Sequence, residues 1–296
     1  MAIVWQQIAA VVASGDAEHL GDALSARGAL AVTMEDAADE PLYEPPLGTT
    51  PLWQATRVTA LFDASVDFEA ITAEVGNALA LGSAAWRITP LADQTWERVW
   101  MDRFEPMRFG ERLWICPSHR EVLATDAIII KLDPGLAFGT GTHPTTALCL
   151  EALEGMALDG ADVLDYGCGS GVLAIAALKL GAHSALAVDI DPQALLATRE
   201  NATANDVVEQ LQAQAPRVVM PASADVVVAN ILAGPLVELA PQLASAARPG
   251  AELVLSGILQ AQAGEVSAAY ADSFAMQPPK VREDWVSISG VRRCGG

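Results

Sequence analysis

The chain of 296 residues reads as an α/β protein in two parts: a small α+β module, then a doubly wound, mostly parallel sheet domain. Two observations predict this. From Ala127 onward, short apolar runs rich in Val, Ile and Ala alternate with helix-like runs. Continuous apolar strands with helices between them belong to a parallel sheet covered on both faces. Before residue 93 the patterns instead follow β-α-β-β-α-β, the split βαβ order of ferredoxin-like modules.

The first part, residues 1–92, opens with the strand-like IVWQQIAAVV. The helix DAEHLGDALSARG follows, with Leu20 and Leu24 on one face and Gly28 placed to stop it. ALAVTMED is a strand. A loop carrying Pro41, Pro45, Pro46 and Pro51 leads to the strand TRVTALFD, the helix FEAITAEVGNALAL and the strand AWRITPLAD. No catalytic spacing occurs here, so this part reads as a folded module.

Residues 93–125 read as a linker. Trp96, Trp100 and Phe104 recur at i, i+4 and i+8, which places them on one face of a helix, with Arg98, Arg103, Arg108 and Arg112 interleaved. The simplest role for such a stripe is packing. Residues 126–296 form the third segment. Its strand candidates are AIIIKLD, DVLDYG, ALAVDI, DVVVANI, ELVLSGI and WVSISGV.

Composition narrows the function classes. At 52% hydrophobic and 18% charged, the chain can bury a real core. A net charge of −20 argues against direct nucleic-acid binding through phosphate neutralisation and suits a basic partner. The N-terminal stretch lacks a basic leader region, and no apolar run is long enough to span a bilayer. Cys116, Cys149, Cys168 and Cys294 are scattered, and the histidines show no metal spacing. A cytoplasmic, metal-free protein is expected.

Two glycine-rich loops carry the chemistry. DYGCGSG (Asp165 to Gly171) follows a strong strand and opens a helix, the context in which a backbone approaches a ligand at a helix N-terminus. Its glycines, Gly167, Gly169 and Gly171, are spaced G-x-G-x-G, not the dinucleotide G-x-G-x-x-G. An acidic strand end at Asp165 suits a ligand that carries an ammonium and a sulfonium, as S-adenosylmethionine does. Asp189 ends the next strand, where an acid accepts from ribose hydroxyls; nicotinamide enzymes share that feature. Asp191 precedes Pro192 and is expected to N-cap the next helix. Asn230 ends a strand at the carboxyl edge of the sheet, where its amide oxygen can hold an incoming N–H. The other loop, LDPGLAFGTGTHPTT, lacks the G-K-[ST] ending of a phosphate loop.

Together LDPGLAFGTGTHPTT, DYGCGSGVLAIAALKLGA, AVDIDPQAL, DVVVANILAGPL, LSGI and the W-x-x-x-W-x-x-x-F-x-P-M-R-F-G-x-R-L-W linker resemble the bacterial ribosomal protein L11 methyltransferase family over nearly the whole chain. That resemblance implies a Rossmann-like class I methyltransferase domain with a seven-stranded sheet, S-adenosyl-L-methionine as cofactor, and no metal. It implies methylation of lysine ε-amines and the N-terminal α-amine of ribosomal protein L11, up to trimethyl, by a monomer whose N-terminal domain grips the substrate. Cofactor contacts carried over are Thr145, Gly167, Asp189 and Asn230. Phe138, Gly139, Thr140, Gly141 and Thr142 match the family's first loop, expected to close over the methionine end. His143 is a candidate general base, with water as the alternative. Tyr166 stands where the family pattern has phenylalanine, and no residue in Val208 to Ala222 matches an adenine contact. A nicotinamide oxidoreductase and a non-catalytic ribosome-assembly factor are the competing readings.

Overall fold

A computed structural model describes residues 3–38, 40, 50–92, 105–133, 143–216 and 222–294. The chain divides into two compact units, Met1–Trp96 and Glu97–Gly296.

In the first unit, β1 (Ile3–Ala13), α1 (Ser14–Ser25), β2 (Ala31–Asp36), β3 (Ala55–Asp63), α2 (Phe68–Ala78) and β4 (Trp86–Ala92) follow the β-α-β-β-α-β order. The strands form an antiparallel sheet in the order β2-β3-β1-β4. Alternation decides which face is covered. Ile8, Ala10 and Val12 of β1 and Val58, Ala60 and Phe62 of β3 are buried, together with Leu20 and Leu24 of α1 and Ile71 and Val75 of α2. Asp67 caps α2 by accepting from the Ala70 N–H at 3.0 Å.

The second unit begins with a three-stranded sheet of β5 (Met107–Phe109), β6 (Leu113–Cys116) and β7 (Ile128–Lys131). This departs from the expected assignment. AIIIKLD is a strand, but it pairs in parallel with β6 rather than joining the main sheet. Residues 107–116, expected to be linker, thereby pack within the second unit. The aromatic stripe Trp96, Trp100 and Phe104 lies outside the described residues.

The main sheet follows, with α3 (Pro144–Glu154), β8 (Asp162–Tyr166), α4 (Val172–Lys179), β9 (Ser184–Val188), α5 (Pro192–Ala204), β10 (Leu211–Gln214), β11 (Ala224–Asn230), α6 (Ala233–Ala246), β12 (Ala247–Leu259), α7 (Ala263–Tyr270), β13 (Phe274–Met276), β14 (Lys280–Arg282) and β15 (Trp285–Arg292). It has eight strands rather than seven. The order is β10-β9-β8-β11-β12-β15-β13, with β14 also paired to β15. The five strands from β10 to β12 run parallel, and β15 returns antiparallel. The extra strand arises because residues 280–282 fold back on the start of β15 as a hairpin. Helices bury both faces. In α4 every residue from Val172 to Leu178 is buried, as its all-round apolar sequence requires, and each fully buried Leu or Ile there contributes about 2 kcal/mol. Among the described residues, no helix is long and apolar enough to cross a membrane.

Candidate functional site at the carboxyl edge

The parallel strands β8, β9 and β11 end together, and most of the described residues singled out from the sequence sit at or beside that edge. Tyr166 of β8 pairs with Val188 of β9 and Ala229 of β11. Gly167, Asp189 and Asn230 each stand one residue beyond, so they share one level.

The glycine turn is shaped by its backbone and steadied by side chains around it. Gly167, Gly169 and Gly171 all have positive φ, at 81°, 54° and 78°. A Cβ on Gly167 would sit 2.1 Å from Ile231 Cγ2, and one on Gly171 would sit 2.7 Å from Thr198 Cγ2. Only glycine fits both the dihedral and the space. The Gly167 and Cys168 N–H groups both donate to Val188 O, at 2.7 and 3.0 Å. Helix α5 holds the turn from the side: Thr198 Oγ1 donates to Gly169 O at 3.0 Å, and Asn201 Nδ2 donates to Ser170 O at 2.8 Å. Burial pushes the Cys168 thiol up to about 12, so it is an inert packing group.

Asp189 is half-buried and tied to the turn. Its Oδ2 accepts from Gly169 N at 2.8 Å and its Oδ1 from Asp191 N at 3.0 Å. Asp191 caps α5 as expected, accepting from Gln193 N at 2.8 Å. Ile190 between them is 84% exposed, a large apolar side chain held at the rim.

Across the cleft, α3 supplies side chains. His143 is its N-cap: Nδ1 lies 2.8 Å from Thr145 Oγ1 and accepts the Thr145 N–H at 3.4 Å. The ring also packs edge-on to Trp285, centroids 4.9 Å apart. Desolvation lowers the His143 pKa, and Glu283 partly opposes this. The imidazole therefore stays neutral, with Nδ1 committed to the cap. Thr145 and Thr146 are buried in the first turn, and Thr146 Oγ1 accepts from Asn230 Nδ2 at 3.2 Å. That bond turns the donor end of the amide toward α3 and leaves its carbonyl oxygen as the acceptor at the strand end.

Asn230 is further located by β12. Ile231 N donates to Ser256 O at 3.1 Å. Gly257 has φ 84°, and a Cβ there would lie 2.3 Å from Ile231 O. Ile231 is thus clasped between Gly167 and Gly257. Thr198 and Asn201 lie in no motif singled out from the sequence, and Thr146 and Gly257 lie in quoted motifs without a role being assigned, because each acts on an element remote in sequence. Phe138, Gly139, Thr140, Gly141 and Thr142 lie outside the described residues. A cavity of about 360 Å³ lined by His183, Ser184, Glu209 and Gln210 opens at the amino ends of β9 and β10, away from this edge. No cluster of His, Cys, Asp and Glu fit to hold a metal occurs among the described residues.

The arrangement fits S-adenosylmethionine. The turn is a glycine cradle that a Cβ at Gly167 or Gly171 would displace, an acid stands one strand over at Asp189, and a buried carboxyl, Asp165, lies one residue before the end of β8. A cradle with acids beside and beneath it matches a cationic ligand better than a pyrophosphate.

Known proteins resemble this chain over most of its length. A family profile described as ribosomal protein L11 methyltransferase (PrmA) matches residues 4–293. A relative named ribosomal protein L11 methyltransferase from Methylococcus capsulatus is 53% identical over 292 residues, covering 98% of this chain and 100% of its own length. One of the same name from Edwardsiella ictaluri is 54% identical over 292 residues, covering 98% and 99%. The crystal structure of a ribosomal protein L11 methylase from Lactobacillus delbrueckii subsp. bulgaricus superposes with TM-score 0.60 at 35% identity, covering 64% of this chain and 100% of that one.

Proposed function

We propose the following from one premise: the chain belongs to the ribosomal protein L11 methyltransferase family. It is an S-adenosylmethionine-dependent enzyme, and its protein substrate is ribosomal protein L11. The acceptors are amines, the lysine ε-amines and the N-terminal α-amine, taken up to the trimethyl state. The first unit, whose β-α-β-β-α-β order and β2-β3-β1-β4 sheet suit a ferredoxin-like fold, grips the substrate. The enzyme acts as a cytoplasmic monomer without binding nucleic acid; the charge of −20 supports attraction to a basic protein rather than to RNA.

When bound, S-adenosylmethionine supplies a methyl carbon activated by its sulfonium. The protein's part is alignment, dryness and proton removal. Gly167 and its neighbours form the floor, and Asp189 takes the ribose hydroxyls. Thr145 borders the methionine end. Asn230 Oδ1 accepts an amine N–H and so aims the nitrogen lone pair; its bond to Thr146 fixes which end of the amide faces the amine. A free lysine, with pKa ~10.4, is almost wholly protonated at neutral pH, so the dry site must lower that value before transfer. His143 Nδ1 is occupied at the cap, which favours water as the carrier of that proton over His143.

The observation that carries this reading is the level shared by Gly167, Asp189 and Asn230 at one sheet edge. The test is mass spectrometry of purified L11 after incubation with enzyme and S-adenosylmethionine. Mass steps of one methyl group each are expected, and peptide mapping assigns them to amines. An unchanged mass overturns the activity.

A further inference from the structure

Among the described residues, one fully buried side-chain oxygen lacks a hydrogen-bond partner: Asp165 Oδ1. Asp165 is 0% exposed and stands one residue before the end of β8, two before Gly167 of the glycine turn. Its other oxygen, Oδ2, accepts the Ala174 N–H at 3.1 Å, one of the donors that the first turn of α4 leaves open. A buried carboxylate with one oxygen bare is costly, and such a group lowers the cost by keeping its proton.

Apart from the Ala174 N–H of α4, which favours the carboxylate, the neighbouring groups are apolar, uncharged or of like charge and so favour the proton. By strand register, Asp165 faces Ala187 of β9 and Val228 of β11, both apolar. Asp189, at the end of β9, adds like charge. From α3 comes Cys149, whose thiol Ser256 of β12 hydrogen-bonds, and from the turn comes Cys168; burial raises both thiols, so neither supplies a charge of either sign at neutral pH. Among the described residues no cation acts on Asp165, and burial, the largest cause, pushes its carboxyl up to about 7 against the Ala174 N–H.

Helix capping uses Oδ2 alone and gives no reason for a bare Oδ1 in the same cradle. We propose that Asp165 keeps a proton while the cradle is empty and releases it when a cationic group of the ligand docks above Oδ1, coupling cofactor uptake to proton release. This rests on the reading that S-adenosylmethionine occupies the cradle. One O–H bond breaks, the proton goes to solvent, and the carboxylate left behind faces the ligand's positive charge. An opposite charge at close range lowers a carboxyl pKa by about 1–3 units, enough to ionise Asp165 in the complex.

The probe is S-adenosylhomocysteine, which keeps the ammonium and lacks the sulfonium. It is titrated calorimetrically into the full chain between pH 5.5 and 8.5, in buffers of low and high ionisation enthalpy. Wild type is expected to release more than about half a proton per site near pH 6 and almost none at pH 8.5. Its affinity should weaken by up to about tenfold per pH unit below 7. 5′-Methylthioadenosine, which has neither charge, should release no proton. Asp165→Asn should abolish the release and flatten the pH profile, while His143→Asn should keep both. Thermal melting checks that each variant folds, and the wild-type profile stands without them. Binding without proton release, or release that disappears with His143 instead, overturns the proposal. No binding at any pH overturns the cofactor reading as well.

Discussion

The two walls of the carboxyl-edge cleft are made of different material. The glycine turn from Gly167 to Gly171 is backbone, locked by steric exclusion against Ile231 and Thr198. The opposite wall, from His143 to Thr146 with Asn230, is a chain of side-chain hydrogen bonds between about 2.8 and 3.4 Å. A wall locked by exclusion has one shape, and a single methyl group breaks it. A wall of hydrogen bonds tolerates substitution by groups that reproduce its donors and acceptors. Cofactor binding should therefore respond most to the first wall, and turnover to the second.

The largest effect is expected from Gly167→Ala. The added methyl meets Ile231, and the left-handed dihedral adds strain. Overpacking of about 1–3 kcal/mol and dihedral strain of about 1–2 kcal/mol together predict roughly 100-fold weaker S-adenosylhomocysteine binding by calorimetry. A Kd within threefold of wild type would break the comparison. Next is Asn230→Ala, expected to lower kcat on the order of 100-fold through lost alignment while the cofactor Kd stays within about threefold. Equal loss of both would place Asn230 with the floor. Gly257→Ala tests the element shared by the two walls. Pressing on Ile231 O should move Asn230 and lower kcat about tenfold, with a smaller rise in cofactor Kd; a Kd loss exceeding the kcat loss would assign Gly257 to the floor.

The smallest effects belong to His143. Asparagine is a good N-cap, so His143→Asn should leave thermal stability and kcat near wild type, whereas His143→Ala should lose about 1 kcal/mol of stability. Loss of the basic limb of the pH–rate profile in His143→Asn would instead make His143 the base. The cap also carries a sign. With its folded pKa below the unfolded value, His143 contributes stability that is present above that unfolded value and lost as the pH falls through 6.5 toward the folded value. Melting of wild type and His143→Asn across that range measures it.

The backbone wall was largely legible from the chain itself, since three alternate glycines after an apolar strand have few uses. Asp189, Asp191 and Asn230 were legible because strand ends are marked by where apolar runs stop. The hydrogen-bonded wall was half legible. His143 and Thr145 lie in a conspicuous loop, but the bond from Asn230 to Thr146 spans 84 positions, and Thr198 reaches Gly169 across 29. Such pairings depend on how helices settle on the sheet, which periodicity does not encode. Strands such as Met107–Phe109 and Lys280–Arg282 are three residues long, too short to show alternation. The placement of AIIIKLD failed for a related reason: a buried apolar strand declares its burial but not its partner.

Helix α5 has a second consequence, for the protein's dealings with other chains. The sheets end at β10 and β7, whose outer backbone groups invite pairing with a foreign strand. Two residues of α5 and its C-cap occupy those groups. Arg199 Nη2 donates to Ala213 O on β10 at 2.6 Å. Asn205, 1% exposed, meets both backbone groups of Lys131 on β7, accepting its N–H at 2.7 Å and donating to its carbonyl at 2.8 Å. A side-chain amide there imitates the strand that would otherwise be recruited. The same short segment that steadies the glycine turn through Thr198 and Asn201 thus also guards two open edges against aggregation.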